Sequence, residues 1–138
     1  MEKVAFIGAG VLGKQSLQIA SVQKKYEAIG FYDDYATLPT FEGLPILGEI
    51  DQIESDYKKG KFSHLFISIG YDHLKLKQEL FRRFSAIPFA SIIHPSVIIE
   101  DSATIDGGVL IYAGCYIGPN CHMKTGTVLN LMSYLAHD

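Results

Sequence analysis

The sequence predicts a parallel α/β sheet domain that runs directly into a β-solenoid of six-residue repeats, and three observations carry that reading. From Ile93 onward an aliphatic residue returns every sixth position, through Ile99, Ile105, Ile111, Ile117, Met123, Leu129 and Leu135. Ahead of it, short apolar runs alternate with helical patterns, the order expected of parallel strands joined by crossover helices. Between the first such run and the first helix stands Gly8-Ala9-Gly10-Val11-Leu12-Gly13, a glycine turn placed where a phosphate-binding loop needs one.

The chain has 138 residues, enough for one ordinary domain or two small ones. A hydrophobic content of 48%, a charged content of 20% and a net charge of −3 describe a globular protein. No Lys/Arg cluster exceeds a pair, which argues against a nucleic-acid surface. Val4-Ala5-Phe6-Ile7 is too short for a secretory leader and no apolar run is long enough to span a bilayer. A cytoplasmic location without membrane insertion is the expectation.

The elements follow in order. Val4 to Ile7 reads as a buried strand, and a helix is expected from Lys14 to about Gln23, with Leu17, Ile19, Ala20 and Val22 apolar. The glycines of the intervening loop let backbone N–H groups approach an anion, and the helix N-terminus adds partial positive charge. Glycine also serves tight turns for steric reasons alone. A second strand, Ala28 to Tyr32, ends at Asp33-Asp34. These carboxylates fall at a strand's carboxyl end, about where an acidic residue binds a ribose or base edge; a solvated turn is the plainer alternative. Thr37 to Leu47, with Pro39, Gly43 and Pro45, reads as a loop leading to a short edge strand around Ile46. A charged helix from Glu49 to about Lys59 turns Ile50 and Ile53 inward. A third strand, His64 to Ile69, closes at Gly70. Tyr71 to Phe84 is expected to be an amphipathic helix with Leu74, Leu76, Leu80, Phe81 and Phe84 mostly on one side. Pro88 to Ile93 is the last strand and enters the repeats at His94-Pro95, so the boundary falls near residue 93, with residues 1–92 and 93–138 as two rigidly apposed domains.

Within the repeats a small or β-branched residue lies four places after each aliphatic: Val97, Ala103, Val109, Cys115, Cys121, Thr127, Ser133. Side chains alternate faces along a strand, so each hexad is a short strand and a corner, and each coil buries its apolar face by stacking on the next. Cys115 and Cys121 occupy equivalent inward positions and read as small core filler rather than a disulfide or metal pair. With three hexads per coil, residues eighteen apart stack. The outward residues then form three stripes: Ile98, Tyr116, Tyr134; Ile92, Leu110, Val128; and Thr104, His122. Two apolar stripes are more than one exposed chain tolerates. One is expected against the N-terminal domain and another against neighbouring subunits.

The corners hold the remaining chemistry. His137 is followed by Asp138, with Asn130 one corner earlier. A corner histidine suits proton transfer and a neighbouring carboxylate could fix its tautomer, although read alone such a pair is surface decoration. His64, His73 and His122 are weaker candidates, and His94 is expected to pack at the domain junction.

The segments FIGAGVLGK, GFYDDY, GLPILG, FISIGY, IIHPS and GTVLNLMSYLAHD, in this order and spacing, resemble the bacterial sugar O-acyltransferases of the sialic-acid and bacillosamine type, the PglD/NeuD-like nucleotide-sugar acetyltransferases. The resemblance covers the whole chain and matches the first two-thirds of such proteins. It implies a Rossmann-like nucleotide-sugar domain joined to a left-handed hexapeptide β-helix. It also implies a homotrimer that transfers acetyl from acetyl-coenzyme A to an amine or hydroxyl of a nucleotide-linked sugar, with UDP as the expected nucleotide, surface glycan synthesis as the setting and no metal. By position, Gly8, Gly10, Leu12, Gly13, Asp33, Asp34, Ile69 and Gly70 would hold the nucleotide, Asn130 the sugar, and His137 with Asp138 would supply the general base. Two departures stand out. Val11-Leu12 replaces the Gly-His usual in the loop, and the chain stops after about two and a half coils. A shortened chain that binds nucleotide-sugar but lacks a complete acetyl-coenzyme A groove is the expectation, with a non-catalytic binding module and a nicotinamide-dependent oxidoreductase as the alternatives.

Overall fold

A computed structural model describes residues 1–138. Strand β1 (Glu2–Ile7) is flanked in parallel by β2 (Tyr26–Tyr32) and β5 (His64–Ile67). Strand β4 (Leu44–Gly48) pairs in parallel with β2, and β3 (Thr40–Phe41) antiparallel with β4, giving the order β3-β4-β2-β1-β5. Val4 to Ile7 are all 0% exposed, as expected of a central parallel strand covered on both faces. Alternation sorts their side chains. Val4 and Phe6 join Phe31 and Phe66 on the face covered by helix α1 (Val11–Gln23), with Phe6 ring centroids 5.4 Å from Phe31 and 5.7 Å from Phe66. Ala5 and Ile7 join Tyr32, Leu65 and Ile67 on the other face, beneath Ile53 of helix α2 (Ile53–Lys58) and Leu80 of helix α3 (Leu74–Arg83).

Several boundaries differ from expectation. Helix α1 begins at Val11, not Lys14, because Gly10 already serves as its N-cap. The strand around Ile46 is not the edge: Glu42 and Gly43, both at positive φ, turn the chain so that β3 covers it. Strand β5 ends at Ile67, and helices α2 and α3 are each preceded by a 3-10 turn, Ile50–Gln52 and Tyr71–His73. On α3 the inward face is Lys77, Leu80 and Phe84, while Leu74 and Leu76 are exposed. The i, i+3, i+7 spacing from Lys77 overrides residue type; its stem packs along apolar surface, and burial pushes the ammonium pKa down. Residues 88–93 are not one strand. Phe89 bridges to Leu65, Ala90 donates its N–H to the Leu65 carbonyl at 2.8 Å, and the next strand, β6, is only Ile92–Ile93.

From β6 the chain winds through β7 (Ile98–Ile99), β8 (Thr104–Ile105), β9 (Leu110–Ile111), β10 (Tyr116–Ile117), β11 (His122–Met123), β12 (Val128–Leu129) and β13 (Tyr134–Leu135). All pairings are parallel and join residues eighteen apart in three ladders, β6-β9-β12, β7-β10-β13 and β8-β11. The interior is Val109, Ile111, Cys115, Ile117, Cys121 and Met123, and both cysteines are free. Of the outward stripes, Ile92 and Leu110 are buried in the same cluster as Val4, Phe6 and Ile19, with Val128 beside them. That stripe docks the coil on α1 and the sheet. The stripe ending in Ile98 and Tyr134 stays 61% and 66% exposed.

Candidate functional site

The carboxyl ends of β1, β2 and β5 open onto a cleft of about 870 Å³, whose far wall is a corner of the coil carrying Tyr112, Asn130 and Leu131. The loop after β1 shapes its floor. Gly8 adopts φ +103°, a left-handed conformation that glycine adopts without Cβ strain. A Cβ on Gly13 would lie 2.4 Å from the Gly8 carbonyl oxygen, so α1 rests directly on the loop. Gly10 caps α1 without a side chain, leaving first-turn N–H groups for a ligand.

The acidic pair at the end of β2 braces this loop. Asp33 Oδ2 accepts the Ala9 N–H and its Oδ1 the Tyr35 N–H, both at 2.8 Å. Asp34 Oδ1 accepts the Ile50 N–H at 2.8 Å, which holds the turn before α2. On the opposite side Ser68 Oγ, 2.8 Å from the carbonyls of both Ile7 and Gly8, ties the loop to β5. Each carboxylate keeps lone pairs for a ligand, but its established partners are backbone.

Gly8, Gly10, Leu12, Asp33, Asp34, Ile69, Gly70 and Asn130 therefore converge on one cleft. Gly13 does not line it and acts from behind, through the contact with Gly8. His137 and Asp138 lie elsewhere, on the corner stacked over Pro119-Asn120, a different edge of the coil from Asn130. There His137 Nδ1 is 2.7 Å from Asp138 Oδ2, the Asp138 N–H donates to the Pro119 carbonyl at 2.9 Å, and Asn120 Nδ2 donates to Asp138 Oδ1 at 3.3 Å. With Nδ1 turned to the carboxylate, Nε2 of this exposed ring is the free nitrogen. His94 bonds within its own corner, to Ser96 Oγ at 2.7 Å, rather than across the junction.

Sequence reasoning missed Gln15, Tyr112 and Tyr71 in the cleft wall. Tyr112 was findable, since it stands eighteen residues before Asn130 and so on the same corner. Its hydroxyl donates to Gln15 Oε1 at 2.5 Å, bridging coil and helix, and burial, with Tyr71 nearby, raises its pKa. No Lys or Arg lines the cleft, where the charged or titratable side chains include Asp33, Asp34, Asp72 and His73. No group of three or more His, Cys, Asp or Glu side chains could hold a metal ion, and no helix is long and apolar enough to cross a membrane.

Residues 3–84 match the family model described as the PglD N-terminal domain. GDP-perosamine N-acetyltransferase of Escherichia coli O157:H7 is 25% identical over 143 residues, covering 100% of this chain and 63% of that protein. Among solved structures, PerB from Caulobacter crescentus, in complex with CoA and GDP-perosamine, superposes with a TM-score of 0.84 at 23% identity, covering 100% of this chain and 64% of that one. The acetyltransferase domain of PglB from Neisseria gonorrhoeae FA1090 gives 0.86 at 24% identity, with 100% and 66% covered. The chain thus spans just under two-thirds of the length of these relatives.

Proposed function

Because the chain belongs to the PglD N-terminal domain family, we propose that it is the substrate-binding and base-bearing part of an acetyl-coenzyme A-dependent acetyltransferase acting on an amino sugar linked to a nucleoside diphosphate. The observation that carries this reading is the cleft itself. It joins the N-terminus of α1, capped by Gly10 without a side chain and suited to a diphosphate, to a coil corner bearing Asn130, suited to a sugar. Residues 1–92 and 93–138 form the two domains, and we read the coil as left-handed.

In the proposed reaction the sugar nitrogen attacks the thioester carbonyl carbon of acetyl-coenzyme A, the carbon–sulfur bond breaks, and coenzyme A leaves as the thiol. His137 Nε2 takes the proton from nitrogen and returns it to the departing sulfur, and Asp138 holds the ring with Nδ1–H toward its carboxylate. Cys115 and Cys121 are buried in the coil, so no covalent enzyme intermediate is invoked. Since His137 and the cleft lie on different edges of one coil, the base that serves a cleft comes from a second copy in a homotrimer. The exposed Ile98 and Tyr134 stripe, with Leu131 and Met132 exposed by 60% and 62%, supplies apolar surface for that assembly.

Thermal-shift titration with a UDP-sugar, a GDP-sugar, NAD and acetyl-coenzyme A tests the reading. Stabilisation by one of the sugar nucleotides and not by NAD is expected, and it also decides between uridine and guanosine. Stabilisation by NAD alone would replace this function with a nicotinamide-dependent one. Sugar-nucleotide binding with no acetyl-coenzyme A effect would leave a binding module.

A further inference from the structure

We infer that Gln15 donates a hydrogen bond to the glycosyl part of the bound sugar nucleotide and that Tyr112 is the positioning residue that aims it; this rests on the nucleotide-sugar reading above. The cleft has no Lys or Arg side chain in its walls, so recognition beyond the loop depends on neutral donors. Gln15 is four residues after Val11 on α1. It therefore shares the helix face of Val11, one turn further from the glycine loop, and lines the cleft on the side of the coil.

The bond to Tyr112 decides which end of the Gln15 amide is available. An oxygen-to-oxygen hydrogen bond runs from 2.5 to 3.0 Å, whereas an amide N–H to oxygen bond is not shorter than about 2.7 Å. At 2.5 Å the Tyr112 hydroxyl must face Oε1. The Nε2 group is then left with both donors and makes no hydrogen bond within the chain. Asn130, one coil from Tyr112 on the same corner, is arranged alike. Its Oδ1 accepts the Leu131 N–H at 2.8 Å, so its Nδ2 is the free end. Two amides with their carbonyls occupied and their NH₂ groups unpaired thus stand at the coil end of the cleft. That pattern matches a ligand rich in acceptors, as the hydroxyl and ring oxygens of a hexose are. The diphosphate lies a turn away at the glycine loop. Tyr112 is half-buried and packs against the cluster that holds Ile92 and Leu110, so its ring presents the hydroxyl to Gln15 from a packed corner.

The test is calorimetric titration of the whole chain and its variants with GDP-mannose against GDP, and UDP-N-acetylglucosamine against UDP. Gln15→Met is expected to weaken the better sugar nucleotide about three- to tenfold, the effect of one neutral hydrogen bond, while the matching nucleoside diphosphate changes less than twofold. Tyr112→Phe should weaken the same ligand about twofold to threefold and add nothing once residue 15 is methionine, because the two act as one unit. Sugar-nucleotide affinities unchanged in both variants would overturn the inference, as would equal losses for sugar nucleotide and bare diphosphate. Additive losses in the double variant would overturn the positioning role of Tyr112. Failure of the unsubstituted chain to bind either sugar nucleotide would instead overturn the nucleotide-sugar reading itself.

Discussion

In the α/β part, Asp33, Asp34 and Ser68 turn toward the chain and bind backbone groups of other elements, so the cleft floor is braced from β2 and β5 at once. In the coil several corner side chains link one coil to the next at a separation of eighteen. Ser96 Oγ accepts the Gly114 N–H at 2.8 Å, Ser102 Oγ the Asn120 N–H at 2.9 Å, and Asn120 reaches Asp138. The first arrangement preorganises a binding site within one chain. The second gives straight, stacked edges whose outermost groups, His137 among them, face outward. In the proposed reaction binding and chemistry are thus lodged in different regions, and each is expected to be disabled separately.

The sharpest separation is expected from His137→Ala. In a chain extended to the full length of its relatives, turnover, followed as thiol release from acetyl-coenzyme A, should fall about a hundredfold to ten-thousandfold, the usual effect of losing a positioned general base. Nucleotide-sugar affinity should largely hold, because the cleft wall of each chain is built without its own His137. A parallel loss of affinity would show that the two regions are not independent. Gly13→Ala attacks the other side. Its new Cβ would sit 2.4 Å from the Gly8 carbonyl, and relief requires α1 to move off the loop. Overpacking of this kind costs about 1–3 kcal/mol, to be read from the denaturant midpoint, with nucleotide affinity falling as well.

Asp33→Asn is a milder version of the same attack. One of the two N–H groups now bound by the carboxylate would face an NH₂ instead, a loss of about 1–2 kcal/mol in stability. Sugar-nucleotide binding should weaken with it, and the activity of any copy whose cleft is intact should not. A variant that lost affinity with no loss of stability would show that Asp33 works chiefly as a ligand and not as a brace.

The two regions were also unequally legible. The coil could be read because its rule is local: one inward aliphatic per hexad and one small or β-branched residue four places after it, repeated from Ile93 to Leu135 with nothing distant needed. Stacking at eighteen followed by arithmetic, and it also contained Tyr112 as the neighbour of Asn130. The α/β part hid more because its assignments depend on contacts far apart in the chain. Leu74 and Leu76 look like core and are exposed, since the sheet lies under Lys77 and Leu80. Asp33 stands where a ribose ligand is expected, but only the folded loop shows that Ala9 and Tyr35 claim both oxygens. Gln15 carries no motif at all. It becomes interesting only when a corner ninety-seven residues later delivers a hydroxyl to it.

The smallest predicted effect compares a like pair of aspartates across the same divide. Asp56 is buried, 2.7 Å from Lys61 Nζ and accepting the Tyr32 hydroxyl at 2.7 Å. The Lys61 contact first, then the Tyr32 hydroxyl, holds its pKa below the ordinary 3.8 against the opposing cost of burial. Asp106 lies on an open corner of the coil, 2.8 Å from His122 Nε2, and that contact likewise lowers its pKa. A carboxyl depressed in the folded state adds stability above its unfolded pKa and loses it as the pH falls through the folded value. Both terms therefore begin to fall near the ordinary carboxyl value, about pH 4, and are gone only once the pH lies below each depressed folded value. They should differ in size. The exposed pair is screened by water and salt, whereas the buried one leaves the Tyr32 hydroxyl without its acceptor when the carboxylate is gone. Denaturation followed between pH 6 and pH 2.5 should show a slope that flattens in Asp56→Asn and barely changes in Asp106→Asn, with the latter's residual difference disappearing in high salt. Equal flattening in the two variants would mean that the corners of the coil are as closed to water as the sheet, and that their side chains are not free to meet another chain.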